Sequence, residues 1–439
     1  MSTYRTNPFP KSLLKKNIYQ IKKGGIPVII KKIITLLRIF SYLPMYLLSI
    51  PILILLKLIS FKYLIRFKKL QSSRIGHFGG NTELYLCERD ISINEKKIKY
   101  IDLFYARDVC NKQLFKMWKR ELKILPSWIL LPLHQMAIFL KIFFSSFDLH
   151  LISEKKDDRD IFNLFDKTKP HLKFTSEEEI YGKECMKKFG LADDSKFVCL
   201  CVRDSAYLKQ EFNDLDFSYH DYRDGNIENY LLAAEELTKK GYFVFRMGKK
   251  VIKPLKSSNP KIIDYANSEM RSDFMDIYLG AKCTFCISTG VGIDIIPIIF
   301  RKPLVEIEAP VAFLRTYCKN FLLLTKHHVL ANNNQKLRLS EIVSSEIVRG
   351  LTTESFKSKG IKLVENSPEE IRDVALEMAD RLEGTWIPDE NDEKLQDKFW
   401  KIFTSESKTQ FSAYGTALHG EIRARYGAKF LRENINWLN

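Results

Sequence analysis

Phe197-Val198-Cys199-Leu200-Cys201-Val202 is an unbroken apolar run, with charged residues before it and Arg203-Asp204 after it. A run with no polar alternation reads as a strand buried on both faces of a parallel sheet. The residues beyond it repeat one rhythm. Asn226 can cap a helix in which Ile227, Tyr230, Leu231 and Ala234 fall at i, i+3, i+4 and i+7, ending at Gly241. Tyr242 to Met247 reads as a strand, Ser272 caps a helix carrying Phe274, Ile277, Tyr278 and Ala281 on one face, and Cys283 to Ser288 is again a strand. Gly290 and Gly292, an apolar helix, Pro303 and the strand Leu304 to Ile307 complete the series. This alternation implies a doubly wound parallel sheet.

The first half shows the same rhythm more faintly. A segment ending at Ile75 leads into Gly76, His77, Gly79 and Gly80, then a helix from Thr82 and a strand from Tyr100 to Tyr105. Trp128 to Phe147, interrupted by Pro132, His134 and Lys141, reads as a buried or surface-seeking helix. Near the other end, Pro368 to Leu382 is an amphipathic helix with Ile371, Val374, Ala375 and Met378 inward. Asp389 to Glu393 reads as a loop, and the last 30 residues as a terminal helix. The expected fold is α/β, with two Rossmann-like domains behind a basic, apolar N-terminal segment. The expected divisions are 1–70, 71–190, 191–390 and 391–439.

Charge separates the N-terminus from the rest. The first 82 residues contain no Asp or Glu and 15 of the 70 Lys and Arg, so the remainder is close to neutral. The same region holds the uncharged run Ile39 to Leu56, which contains Pro44 and Pro51. Eighteen residues reach about 27 Å as a helix, close to the hydrocarbon thickness. Upstream, Leu14, Ile18 and Ile21 share a face while Lys15, Lys16, Lys22 and Lys23 take others, as in an interfacial helix. These features point to an anionic membrane surface, and the neutral remainder argues against nucleic acid as a partner. Eight cysteines without disulfide spacing, and a lone CxxC at Cys283 to Cys286, read as reduced thiols of a cytoplasmic domain.

Ligands of open α/β sheets bind beyond the carboxyl ends of the strands, so residues there are the first candidates. Arg203 can grip a diphosphate, or pair with Asp204 as a sheet cap. Arg246 and Gly248 close the next strand, with Lys249 and Lys250 in the turn beyond. Ser288, Thr289, Gly290 and Gly292 offer hydroxyls and amides at a helix N-terminus, or serve a tight turn only. His220 and Arg223 precede the Asn226 cap and can reach the same cleft. His77 and Glu83, in a loop from Arg74 to Glu83, are each a candidate general base, with a surface His and a capping Glu as the plainer readings. The sequence lacks GxxxxGK[ST], GxSxG and HExxH, which disfavours P-loop, α/β-hydrolase and zincin chemistry.

From about residue 70 onward the chain resembles a group of bacterial glycosyltransferases associated with surface-polysaccharide synthesis. The resemblance rests on Arg74-Ile75-Gly76-His77, Arg203-Asp204 with Tyr207, Tyr222-Arg223 with Tyr230, Arg246-Met247-Gly248, Ile263-Asp264-Tyr265-Ala266, and Arg271-Ser272-Asp273-Phe274 with Asp276 to Leu279. Phe430-Leu431 also fits. It implies a GT-B architecture, with the nucleotide-sugar held mainly by the second domain. A metal-independent mechanism, with no cofactor beyond the nucleotide-sugar donor, is the default expectation. Arg203 also looks like the phosphate-gripping arginine of fucosyltransferase-like enzymes, and Ser288-Thr289 like their pyrophosphate contacts, a fold-level analogy. The expectation is a membrane-associated transferase moving a sugar from a nucleotide-sugar to a lipid-linked or surface-glycan acceptor at the cytoplasmic face of the inner membrane. The alternatives are a non-catalytic scaffold of a glycan-synthesis complex, and a pyruvyl or phosphoryl transferase acting on glycan.

Overall fold

The computed structural model describes residues 13–92, 99–152, 159–204, 218–350, 352–412 and 415–439, with many side chains of 13–42 and that of His220 outside the description. The chain forms two compact units. The first comprises 1–73, 92–109 and 118–157, and the second 74–91, 110–117 and 158–439. Both units cut across the expected division at 71–190.

In the first unit, helix α1 (Leu13–Ile59) leads into strand β1 (Tyr63–Lys69). The helix is broken at Gly25, whose φ of 58° is a left-handed conformation open to glycine, and continues through Pro44 and Pro51. No helix among the described residues is long and apolar enough to cross a membrane. The side chains of Leu14 and Ile18, and those of Ile39 to Tyr42 at the start of the expected apolar run, lie outside the described residues. Between β1 and the next strand runs helix α2 (Ile75–Ser92), and strand β2 (Lys99–Tyr105) pairs with β1 in parallel, Tyr63 opposite Lys99 through Lys69 opposite Tyr105. Single bridges from Phe67 to Leu151 and from Phe104 to Ile124 extend this ribbon. The described part of the expected first Rossmann-like sheet is therefore a two-stranded one. Helix α3 (Lys112–Glu121) and helix α4 (Ser127–Phe143) follow. Leu53 of α1, Phe67 and Tyr105 of the strands, and Leu130, Leu131 and Ala137 of α4 make the core of this unit.

The second unit is built on seven parallel strands: β3 (Phe197–Cys201), β4 (Phe243–Arg246), β5 (Ile262–Ile263), β6 (Phe285–Ser288), β7 (Leu304–Ala309), β8 (Phe321–Thr325) and, after the antiparallel pair β9 (His327–Leu330) and β10 (Ile361–Val364), the short β11 (Arg425–Tyr426). Their spatial order is β11-β8-β7-β6-β3-β4-β5. Every residue of β3, β6, β7 and β8 is buried, as expected for strands covered on both faces. The helices begin where short polar side chains can satisfy their first amides. Asn226 Oδ1 accepts from the Glu228 amide, Ser272 caps Asp273–Lys282, and Ser367 forms a capping box with Glu370 ahead of Pro368–Glu383. Ile371, Val374, Ala375 and Met378 are buried as the periodicity requires. All eight cysteines are unpaired and seven are buried.

Two local expectations give way to tertiary structure. Gly76, Gly79 and Gly80 lie inside α2 instead of in a loop, because the helix packs at very short range within the second unit. An added Cβ at Gly79 would stand 2.8 Å from Ile295 Cγ2, and one at Gly76 3.3 Å from Gly292 Cα. The expected terminal helix is a short strand, β11, and a helix of six residues, Ala428–Glu433. Arg425 and Tyr426 pair with Leu322 and Leu323 of β8, a long-range choice with no local signal.

Candidate functional site

Strand order reverses between β3 and β6, and the crevice beyond the carboxyl ends at that point is the site such sheets provide for ligands. Arg203 follows β3 there. Its amide donates to Thr289 Oγ1 at 2.8 Å and its Nε to Asp224 Oδ1 at 3.1 Å. Arg223 donates from Nη2 to the Gly290 carbonyl at 2.5 Å, and Lys326, just past β8, donates from Nζ to the Asp224 carbonyl at 2.5 Å. The segment from Tyr222 to Gly225 thus lies across the ends of β3, β6 and β8, held by three cations. Burial, with Arg223 nearby, pulls the Arg203 pKa down. Burial pushes Asp224 up to about 6 against the opposing pull of Arg203. A cationic crevice of this kind suits an anionic group such as a diphosphate.

The turn after β6 is organised from within. Ser288 Oγ donates to Asp294 Oδ2 at 2.6 Å and accepts from the Gly290 amide at 3.0 Å, while Thr289 Oγ1 serves the Arg203 amide. Beneath it, Arg315 pairs with Asp294 at 2.9 Å and with Glu306 at 3.3 Å. Gly290 adopts a φ of 72°, which explains glycine at that position. The following helix, Ile295–Ile299, is a single turn. The hydroxyls expected to face a ligand therefore shape the turn and hold Arg203 in place. Gly292 is the surface on which Gly76 packs.

Asp204 and Arg246 form a second cluster. The Arg246 guanidinium is fully buried, 3.2 Å from Asp264 and 3.8 Å from Asp204. Asp204 and Asp264 in turn accept from the amides of Ile252 and Leu255. These groups fix the loop after β4, and Gly248 in that loop packs against Val251. The side chain of His220 lies outside the described residues.

His77 sits in the first turn of α2, one residue after the contact between Gly76 and Gly292, so the packing that buries the glycines carries it to the β6 turn. Glu83, two turns on, is enclosed. Its Oε1 accepts from Arg301 Nη2 at 2.8 Å and from His171 Nδ1 at 3.1 Å, and His171 Nε2 donates to Asp90 at 2.9 Å. Burial alone would lower the His171 pKa, yet Cys87, Glu83 and Asp90 hold it up at about 10. Glu83, Cys87 and His171 are metal-ligand types with donor atoms within 4.8 Å of one another. Arg301 Nη2, also 3.5 Å from Cys87 Sγ, already supplies positive charge there, so the cluster fits an ion-pair anchor and not a cation site. Of the four aspartates in the two Asp-x-Asp spacings of the sequence, Asp158-Arg159-Asp160 and Asp214-Leu215-Asp216, only Asp160 lies in the described residues. It caps a helix by accepting from the amides of Leu164 and Phe165.

Sequence reasoning missed Asp224, Lys326 and Glu308. Glu308 lies near the carboxyl end of β7 with a φ of 61°, a conformation rare for a side chain other than glycine or asparagine. Its side chain is fully buried with Lys326 Nζ 3.9 Å away, and the Tyr230 hydroxyl and the Asn366 amide favour its ionised form. Burial pushes its pKa up to about 7. A Cβ at Gly225 would stand 2.6 Å from Glu308 Oε2, so glycine is what lets the loop close over this carboxylate. Beside it, a small cavity of about 10 Å³, room for about one water, is walled by Tyr222, Val311, His328, Val348, Phe356 and Leu363. The signal available in sequence was the pair Glu306 and Glu308 inside an otherwise apolar strand.

No family model matches the chain, and no curated protein sequence matches it. Among solved structures, the chain is similar to the ADP-heptose lps heptosyltransferase II of E. coli, with 14% identity over 72% of this chain and 98% of that one and a TM-score of 0.38. It is also similar to a glycosyl transferase family 9 structure from Veillonella parvula, with 10% identity over 61% of this chain and 86% of that one and a TM-score of 0.37. Scores under 0.5 leave these likenesses without weight for substrate or mechanism.

Proposed function

We propose that the protein is a metal-independent glycosyltransferase of GT-B type, moving a sugar from a nucleotide-sugar to a lipid-linked or surface-glycan acceptor. In this reading it works at the cytoplasmic face of a membrane to which its basic, apolar N-terminal region attaches. The observation that supports it best is the convergence of Arg203, Arg223 and Lys326 at the switch point of the seven-stranded sheet. Negative charge accumulates on the leaving diphosphate as the sugar departs, and fixed cations there stabilise the transition state more than the ground state.

Arg203 is the principal diphosphate ligand, oriented through its amide by Thr289. Asp224, its partner in this structure, gives way when the donor enters. Ser288, Gly290 and Gly292 set the shape of the turn, while Asp204, Arg246 and Gly248 support the neighbouring loop. His77 is the acceptor-activating base. Glu83, enclosed by Arg301 and His171, positions α2 and therefore His77. Nucleotide-sugar hydrolysis, followed as nucleoside diphosphate released from UDP-, GDP- and dTDP-sugars or as CMP released from CMP-sugars, in the presence of EDTA, tests the activity. Release from one donor class, abolished in Arg203→Ala, is expected. A folded protein that neither binds nor turns over any donor favours the scaffold, and full turnover in Arg203→Ala removes the assigned role.

A further inference from the structure

The first unit presents a large apolar surface on two packed helices. On α1, Leu43, Leu47, Leu48, Ile52, Leu55 and Leu58 are exposed at helical spacing. On α4 and the residue after it, Trp128, Ile138, Phe139, Ile142, Phe143 and Phe144 are exposed, Ile142 at 74% and Phe143 at 64%. The opposite faces of both helices are committed: Leu53 and Leu56 of α1 and Leu130, Leu131 and Ala137 of α4 share one core with Phe67 and Tyr105. Tyr46 of α1 donates to Gln135 of α4, joining the two helices midway. The outward faces therefore cannot be satisfied by turning inward, and soluble monomers rarely keep apolar patches beyond a few hundred Å² uncovered.

Charge around the patch selects the occupant. Exposed Lys57, Lys62 and Lys141 border it, and α1 and β1 contain no acidic residue. Asp148 is the nearby acid, and it is paired with Lys141 at 2.6 Å. An apolar face of leucine, isoleucine and aromatic residues with a basic border matches the acyl and headgroup layers of an anionic bilayer, where each side chain type finds its medium.

We propose that α4 and the C-terminal half of α1 form one monotopic face that inserts into a single leaflet of an anionic bilayer, with Trp128 and the Phe143-Phe144 end immersed. This deepens the membrane attachment proposed above by assigning it to the folded first unit as well as to the N-terminal tail. The partner is lipid.

The test uses the full chain and vesicles of phosphatidylcholine alone or mixed with phosphatidylglycerol. Wild type is expected to float with the mixed vesicles, and a double substitution Ile142→Gln/Phe143→Gln to lower the partition coefficient at least about tenfold, given the area removed from lipid. Brominated phosphatidylcholine in the same vesicles should quench the tryptophan fluorescence of wild type and largely fail to quench Trp128→Phe, a readout that survives if the double variant folds poorly. Equal flotation of wild type and the double variant, or equal quenching with and without Trp128, would overturn the assignment. If the substitutions change the oligomeric state in solution and leave flotation intact, the face is an interface between copies and the proposal falls. Donor-induced thermal stabilisation measured on the same preparations reports on the transferase reading separately.

Discussion

Arg301 Nη2 lies 2.8 Å from Glu83 Oε1, and the carboxylate that receives it is fully buried. Removing one partner of a buried pair leaves a charge in low dielectric, whereas the pair itself is close to neutral in net stability. Glu83 keeps protonated His171 as a second partner, so Arg301→Met is expected to destabilise the protein by less than the roughly 3–5 kcal/mol of a fully uncompensated buried charge. Denaturant unfolding measures it. A loss of that full size at neutral pH would mean that His171 does not compensate Glu83.

His171 adds a pH dependence to the same cluster. Its folded pKa, about 10, lies above the usual value of 6.5. The group binds its proton more tightly in the folded state, so its contribution is fully present below pH 6.5 and is lost as pH rises through about 10. The difference in melting temperature between wild type and His171→Gln should shrink steadily from neutral pH to pH 10. A difference that stays constant over that range would contradict a protonated His171.

Glu308 also loses stability as pH rises, at lower pH and because its charged form is the unfavourable one. Its folded pKa of about 7 is above the usual 4.5, so ionisation costs folding free energy, starting near pH 4.5 and reaching its full size above about pH 7. Glu308→Gln should then be more stable than wild type at pH 8, by at most about 3 kcal/mol, and similar to it at pH 4.5. If the Gln variant is less stable at pH 8, Lys326, Tyr230 and Asn366 offset the cost of burial more than this reading assigns them. Where stability rises and donor binding falls together, Glu308 is a ligand-facing residue kept at the expense of stability.

Gly79 and Ile295 are close enough that a methyl group cannot be accommodated without movement, the added Cβ standing 2.8 Å from Ile295 Cγ2. Gly79→Ala gains helix propensity of about 1 kcal/mol and meets an overpacking cost of about 1–3 kcal/mol. A net loss is expected, and pairing it with Ile295→Ala should give non-additive recovery in a double-mutant cycle. Additive losses would show that α2 does not press on Ile295.

The parts of this fold that were legible were those decided locally. Phe197 to Val202 and Cys283 to Ser288 announced buried strands because apolar runs between charges have few other solutions, and Asn226 and Ser272 marked helix starts because their side chains satisfy the first amides. The glycines of α2 were read as a loop because glycine is a poor helix former, and only the close approach of Gly292 and Ile295 makes helix the better outcome. The pairing of β11 with β8 depends on residues about a hundred positions apart. Arg203 was found from its place after a strand. Asp224 and Lys326, which hold and flank it, belong to segments with no motif, and the difference between an engaged hydroxyl at Ser288 and a ligand-facing one exists only in three dimensions.

The central claim is that Arg203 at the switch point holds the diphosphate of a nucleotide-sugar. The most direct measurement is the melting temperature of detergent-purified protein against UDP-, GDP-, CMP- and dTDP-sugars, in wild type and Arg203→Ala. A ligand at 100 times its Kd stabilises by about 2.7 kcal/mol, a shift of several degrees for a chain of this size. One nucleoside-diphosphate-sugar class should raise the wild-type melting temperature and leave folded Arg203→Ala unmoved, while CMP-sugars, which carry a single phosphate, should not. No shift with any donor, or the same shift in both proteins, would contradict the account.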